Sequence, residues 1–237
     1  MTIDGPAGSG KSTVALIVAR TLGLRYLNSG ALYRAVTLLF VESGDDFEDR
    51  KTVASRVAEM VLEVGDSREG ARYSLNGRDV TDRLKDPDVT KQVYRIANVP
   101  EYRTLLTESQ RSYATGDGLV AEGRDMGTVI FPEAGVKIFI DAPAEVRAIR
   151  QHKELLERGV DASLSEVLAR IEERDRHDRF RDTAPLVAAP DSVCIDSGCK
   201  SIADVVDSVY RAIVRRCRDG TACRYSALFA NVSGFEP

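Results

Sequence analysis

Gly5-Pro6-Ala7-Gly8-Ser9-Gly10-Lys11-Ser12-Thr13 stands almost at the start of the chain and fits the spacing G-x-x-x-x-G-K-[ST] through Gly5, Gly10, Lys11 and Ser12. The pattern carries a mechanism. Glycines let backbone N–H groups close round phosphate oxygens, the lysine neutralises charge, and the hydroxyl reaches a phosphate-bound magnesium ion. Thr13 to Ala19 reads as a helix whose positive N-terminal end faces the same phosphates, and Gly23 is placed to end it. With the short run Thr2-Ile3-Asp4 in front, the segment reads strand, loop, helix, and it predicts a bound nucleotide triphosphate.

Four further segments read as parallel strands: Arg25 to Leu27, Leu119 to Glu122, Val136 to Asp141, and Ser192 to Asp196. Helical patterns separate them. The alternation predicts an α/β fold with an open five-stranded parallel sheet flanked by helices, whose ligands sit beyond the carboxyl ends of the strands. Those ends run into the phosphate loop, Asn28-Ser29-Gly30, Gly123-Arg124-Asp125, Asp141-Ala142-Pro143 and Asp196-Ser197-Gly198, each polar or glycine-bearing.

Residues 31 to 117 are too many for a simple crossover and must carry structure of their own. Ala31 to Val41 and Lys51 to Leu62 read as helices, the second through Val53, Val57, Met60 and Val61. Arg72 to Val80 alternates around Asn76-Gly77, the strongest short signal for a two-residue hairpin, so a small antiparallel insert is expected. Pro100 to Ala114 is a further helix, with Pro in its first turn and Gly116 beyond its end. Ser163 forms a capping box with Glu166, and Leu164, Val167, Leu168 and Ile171 then make one apolar face. After Ile171 the face stops. Glu172 to Arg181 has almost nothing to bury, so this half is expected to project into solvent or over a ligand as a mobile cover. Arg170, Arg174, Asp178 and Arg181 recur at helical spacing along one side of it. Ser201 and Asp204 cap a last helix, Ile202 to Arg216, and residues 219–237 read as a poorly ordered tail.

At 237 residues, 43% apolar and 30% charged, the chain can bury a full core. No run approaches the roughly 18 apolar residues of a bilayer span, and the phosphate loop begins too early to follow a signal peptide, so the expected location is the cytoplasm. A net charge of −4 draws the protein to no nucleic acid, and no aromatic stacking run accompanies the arginines. Cys194, Cys199, Cys217 and Cys223 match neither a zinc clamp nor a redox pair and are expected to be structural or incidental thiols. His152 and His177, without metal-ligand spacing, are expected on the surface.

Switches, motors and small-molecule kinases all use a phosphate loop, so the second substrate decides among them. A kinase for a small anionic acceptor needs guanidinium groups around the transferred and accepting phosphates. Arg34, Arg103, Arg124, Arg174 and Arg181 follow different strands, and the strand-end rule could gather them. A motor or switch would need an apolar strand ending in a magnesium-binding Asp, together with a switch glutamine. Asp141 alone suits the first requirement, and nothing suits the second.

Five motifs resemble the bacterial cytidylate kinases, the (d)CMP kinases of the nucleoside monophosphate kinase group, over about residues 3–216. They are Gly5 to Thr13; Ser29-Gly30-Ala31-Leu32-Tyr33-Arg34; Pro100 with Arg103 and Gln110-Arg111; Gly123-Arg124-Asp125-Met126-Gly127-Thr128; and Arg174 through Asp178 and Arg181 to Ala184-Pro185-Leu186. The resemblance implies one kinase domain over residues 1–218, with a core of about 1–30, 115–150 and 184–218, a monophosphate-binding region with its hairpin insert at about 31–114, and a helical lid at about 151–183. It also implies ATP with magnesium as donor, Gly5 to Thr13 as the donor's cradle and Ser12 as metal ligand. CMP and dCMP would be the acceptors, and the protein a monomer with neither nucleic-acid nor membrane partners. By position, Ser29, Arg34 and Arg124 would bind the acceptor's phosphate, and Arg103 and Asp125 would meet the cytosine, with Arg181 nearby. Arg174 and Asp178 would approach sugar and phosphates from the lid. Lys11, Arg124, Arg150 and Arg174 would carry the transfer. Cytosine presents an exocyclic amine and a bare ring nitrogen, which suit a fixed carboxylate and guanidinium donors and leave uracil mispaired. An ion pair with Arg124 or a lid arginine is the alternative role for Asp125.

The implied reaction is in-line transfer of the γ-phosphoryl of ATP to a phosphate oxygen of CMP or dCMP, without a covalent intermediate or a general base. Tyr94 stands where the family usually has a serine that touches the base; it could displace the pyrimidine, supply its own hydroxyl or point away. Glu122 stands where aspartate is common, and its one extra methylene is expected to have little consequence. Four residues precede Gly5, a first strand shorter than family members show. The rival readings are a kinase for UMP or a sugar or shikimate-like alcohol, a nucleotide-dependent binding protein that uses the fold without turnover, and a nucleic-acid binder, which the acidic total opposes.

Overall fold

The structure, a computed structural model, describes residues 1–67, 70–114 and 118–218. The expected tail, Gly116 and Cys223 lie outside them. In chain order the elements are β1 (Thr2–Asp4), α1 (Lys11–Thr21), β2 (Arg25–Asn28), α2 (Ser29–Ser43), α3 (Arg50–Glu59), β3 (Leu62–Ser67), β4 (Gly70–Leu75), β5 (Arg78–Asp79), α4 (Pro87–Thr90), α5 (Val93–Ala97), α6 (Pro100–Ser112), β6 (Leu119–Gly123), β7 (Lys137–Asp141), α7 (Ala144–Glu157), α8 (Leu164–Phe180), β8 (Val193–Asp196) and α9 (Ile202–Arg218). The larger sheet has the order β2-β6-β1-β7-β8, and β3-β4-β5 form a small second sheet. Two compact units divide the chain: Met1–Leu24 with the residues from Val120 onward, and Arg25–Leu119.

In the first unit β1 lies between β6 and β7, both parallel to it, with Thr2 opposite Ala121 and Lys137. Ile3, Val120, Ala121, Ile138 and Ile140 are all buried, the near-continuous apolar pattern of parallel strands covered on both faces. Helix α1 buries Val14, Ala15, Val18 and Ala19 and stops where expected: Gly23 turns left-handed at φ 62°. There the Leu24 amide returns to the Ala19 carbonyl at 2.8 Å. The capping box of α8 forms as read, and Val167 and Ile171 pack with Ala148 of α7. Two expectations for α8 change. Leu164 is its first helical residue and lies outside that cluster, largely exposed, and Arg181 is extended just past the helix end instead of sharing its side.

The second unit is built round α2, whose Leu32, Ala35, Val36 and Phe40 are buried against Phe47, Val53, Leu75, Leu84, Ile96 and Leu106. Helix α3 ends at Glu59, short of the expected Leu62. Met60 is already extended, and Leu62 opens β3 opposite Leu75, so cross-strand pairing claims the residue expected to end the helix. The expected hairpin joins β4 and β5. Asn76 and Gly77 have φ of 50° and 79°, both left-handed as a two-residue primed turn requires. Asn76 also accepts the Val61 amide on Oδ1 at 2.8 Å, which holds the third strand that sequence alone did not reveal. No described helix is long and apolar enough to cross a membrane.

Candidate active site

Strands β1, β6, β7 and β8 run parallel, so their carboxyl ends share one edge of the first unit. The phosphate loop leaves β1 there. A Cβ at Gly5 would lie 2.0 Å from the Ile140 carbonyl oxygen, and one at Gly8 3.0 Å from Cβ of Arg147, so neither position admits a side chain. Lys11 opens α1 and is buried; its Nζ donates to the Pro6 carbonyl at 3.1 Å and lies 4.0 Å from Glu122 Oε2. Burial, reinforced by the Arg124 cation and opposed by Glu122, pushes the Lys11 ammonium down to about 7. Ser12 Oγ donates to Glu122 Oε1 at 2.8 Å.

Glu122, not Asp141, is therefore the carboxylate beside the loop. Parallel pairing sets Glu122 opposite Ile3, next to the residue that leads into the loop. Asp141 instead accepts from Arg179 at 3.0 Å and from the Ala142 amide at 2.8 Å. Among the described residues no group of three or more His, Cys, Asp and Glu is placed to hold a metal ion. Ser12 and Glu122 nevertheless supply two hard oxygen donors side by side, the donor set for a magnesium ion that takes its other ligands from phosphates and water.

Arg124, just past β6, donates through Nε to Asp178 Oδ2 at 2.8 Å, and Arg174 Nε lies 3.8 Å from the same oxygen. Burial alone would raise Asp178; the cations of Arg124 and Arg174 outweigh it and hold the carboxyl below its usual range. Asp125 is buried, with Arg181 Nη2 at 4.0 Å from Oδ2, the lid-arginine pairing weighed as its alternative role. The turn after Asp125 is anchored from β1, where Asp4 accepts the Met126 amide at 2.9 Å and the Gly127 amide at 2.7 Å. Desolvation outweighs those two bonds and pushes Asp4 up to about 7. Arg150 donates to the Ser197 carbonyl at 2.6 Å, and Ser197 Oγ in turn donates to the Ser9 carbonyl at 2.9 Å, so this arginine reaches the phosphate loop through the turn after β8.

The charged half of α8 is not bare. Asp175, Asp178 and Arg179 pair with Arg147, Arg124 and Asp141 respectively. Sequence reasoning missed Arg147, which is buried on α7, and its partner Asp175. The only signal was helical spacing, which put Arg147 one turn before Arg150 without showing what either would meet.

In the second unit Asn28 Oδ1 caps α2 by accepting the Ala31 amide at 2.9 Å, with Ser29 and Gly30 in the first turn. A Cβ at Gly30 would lie 3.3 Å from Arg34 Nη1, so glycine makes room for this guanidinium at the positive helix end. Arg103 is buried, donates to the Ala97 carbonyl at 3.2 Å, and stands 5.7 Å from the centroid of the Tyr33 ring. Tyr33 is thus a packing partner for Arg103. Tyr94 on α5 is 61% exposed and points away from the packed core.

A family model for cytidylate kinase matches residues 1–215, which includes the phosphate loop and all of the arginines just placed. The chain belongs to the cytidylate kinase family. Similar relatives include the cytidylate kinase of Carboxydothermus hydrogenoformans, 42% identical over 216 residues, or 91% of this chain and 97% of the relative. The cytidylate kinase of Fervidobacterium nodosum is 43% identical over 218 residues, 92% of this chain and 97% of the relative. That of Methylococcus capsulatus is 44% identical over 206 residues, 87% and 92% of the two chains. The crystal structure of an uncharacterized protein from Eubacterium ventriosum shares the fold at a TM-score of 0.50 and 16% identity, covering 90% of this chain and 97% of that one. Cytidylate kinase membership bears out the resemblance drawn from the five motifs and makes the chain a phosphotransferase.

Proposed function

We propose that this protein transfers the γ-phosphoryl group of ATP to CMP, and to dCMP as well, giving ADP and the nucleoside diphosphate. Family membership supports the reaction. The site observation that carries it is a buried Lys11 and a Ser12 that both address Glu122, beside a carboxylate shared by Arg124 and Arg174.

The loop's N–H groups and the positive end of α1 bind the donor's phosphates. A phosphate oxygen of CMP attacks the γ-phosphorus in line while the bond to the β–γ bridging oxygen breaks; ADP leaves with that electron pair, and an already ionised acceptor has no proton to lose. Lys11 follows the charge as it moves. Ser12 and Glu122 would hold magnesium, which when bound neutralises the β- and γ-phosphates. Arg124 and Arg174 exchange their shared Asp178 for phosphate oxygens of the transferring group, and Arg150 steadies the loop through Ser197. Family resemblance assigns Ser29, Arg34 and Arg103 to the acceptor. Asp125 accepts the exocyclic amine of cytosine, with Arg181 beside it. The same reading makes the protein a cytoplasmic monomer whose partners are its substrates.

ADP release measured with CMP, dCMP, UMP or shikimate as acceptor tests this. CMP and dCMP should support turnover. ATP binding without CMP-dependent release would favour a binding protein, and turnover with shikimate alone an alcohol kinase.

A further inference from the structure

Arg147 is a buried cation that none of the steps above employs, and its guanidinium makes four hydrogen bonds to three residues from different parts of the chain. Nε donates to the Ala142 carbonyl at 2.8 Å, just past β7. Nη1 donates to the Ala7 carbonyl at 3.1 Å, at the crest of the phosphate loop. Nη1 and Nη2 together grip both oxygens of Asp175 on α8, with Nη1 at 3.1 Å from Oδ1. Gly8 rests on the same residue, since a Cβ there would meet the Arg147 carbonyl oxygen at 3.2 Å as well as its Cβ. Asp175 in turn lies beside Arg174 in sequence and three residues before Asp178, the carboxylate that Arg124 and Arg174 share.

We propose that Arg147 is a positioning residue for phosphoryl transfer: it ties the crest of the phosphate loop to the charged half of α8, so that Arg174 is held in register with the donor's phosphates. This rests on the kinase reading above. The planar fork of arginine makes the link. One guanidinium can span a loop carbonyl and both oxygens of a carboxylate in fixed geometry, which the point charge of a lysine cannot. The low exposure of both side chains, 3% for Arg147 and 14% for Asp175, keeps the pair from being screened away by solvent. Position matters here because transfer depends on alignment, and a misplacement of about 1 Å can lower the rate by about a hundredfold.

The test compares wild type with D175N, R147K and the double variant, through kcat, KM for ATP and KM for CMP from ADP release, ADP affinity by calorimetry, and the thermal midpoint. D175N leaves the Ala7 and Ala142 contacts available, so kcat should fall about tenfold or more while ADP affinity and both KM values stay within about threefold. R147K should lower kcat similarly and also raise KM for ATP, and the double variant should fall little further than R147K because both changes break one link. A D175N kcat within about twofold of wild type overturns the proposal. So does a loss of kcat that tracks equal losses of ADP affinity and thermal midpoint, which is what a merely structural pair would give. Should R147K fail to fold, D175N decides alone. A wild type that binds ADP yet shows no CMP-dependent release sinks the kinase reading instead. Hydrogen exchange then judges the coupling: ADP must slow exchange at residues 172–180 in wild type and not in D175N.

Discussion

Lys11 shows how a residue legible from spacing acquires its chemistry from burial. The motif announces a phosphate-binding lysine; only the fold shows that desolvation and the nearby Arg124 bring its ammonium to about 7 before any nucleotide arrives. A triphosphate or diphosphate in the loop reverses that balance, because its negative charge favours the protonated form. Nucleotide binding at pH 8 should therefore draw protons from the buffer, seen as a calorimetric enthalpy that varies with buffer ionisation heat, and K11M should abolish the variation. Enthalpy independent of buffer in wild type would place Lys11 fully protonated in the free protein. Glu122 marks the limit of the same reading. Sequence nominated Asp141 as the strand-end carboxylate, and the role of Glu122 depended on its pairing with Ile3, which spacing along one strand does not contain. Arg147 was less legible still, since its partners, Ala7 and Asp175, are 140 and 28 residues away.

At the scale of the element, local signals were read well where chemistry is local. The Ser163–Glu166 capping box, the Asn76-Gly77 turn and the Gly23 stop all form as their sequences require. Ser163→Ala removes the acceptor of the Glu166 amide and the donor to its carboxylate at 2.8 Å, so the thermal midpoint should drop by about 2–5 °C. Substitution by Asp, another good cap, should restore most of it. An unchanged midpoint for both variants would mean that α8 is held by its ion pairs and the small cluster at Val167 and Ile171 alone. The strand β3 was missed for a physical reason. Met60 and Val61, just before its start at Leu62, continue the helical spacing of Val53 and Val57, and the pairing of Leu62 with Leu75 of β4 accompanies the change to extended chain. The charged half of α8 was misread in a similar way, since charges that look solvated in sequence are paired once α7 and the β6 end are in place.

Across the whole molecule, the phosphate loop and the turn bearing Arg124 and Asp125 are joined by one buried carboxylate. Asp4 has its pKa raised to about 7, well above its ordinary 3.8, by desolvation. A raised carboxylate binds its proton more tightly in the folded state, so its contribution to stability is full below about pH 4 and is lost as pH rises through about 7. Relative to D4N, wild type should thus lose stability between pH 4 and pH 8, by a few kcal/mol at most, in denaturant titrations; parallel profiles would refute the shift. The parallel sheet was legible from strand–helix alternation, whereas the division into Met1–Leu24 with Val120 onward and Arg25–Leu119 depended on long-range packing. The central claim, that this fold is set to phosphorylate a cytosine monophosphate, comes down to Asp125. Its most direct test is ADP release at saturating ATP with CMP or UMP, for wild type and Asp125→Asn. Wild type should strongly prefer CMP, and Asp125→Asn should lose about a hundredfold in kcat/KM with CMP and narrow the CMP-to-UMP ratio, whereas unchanged activity and selectivity would contradict the account.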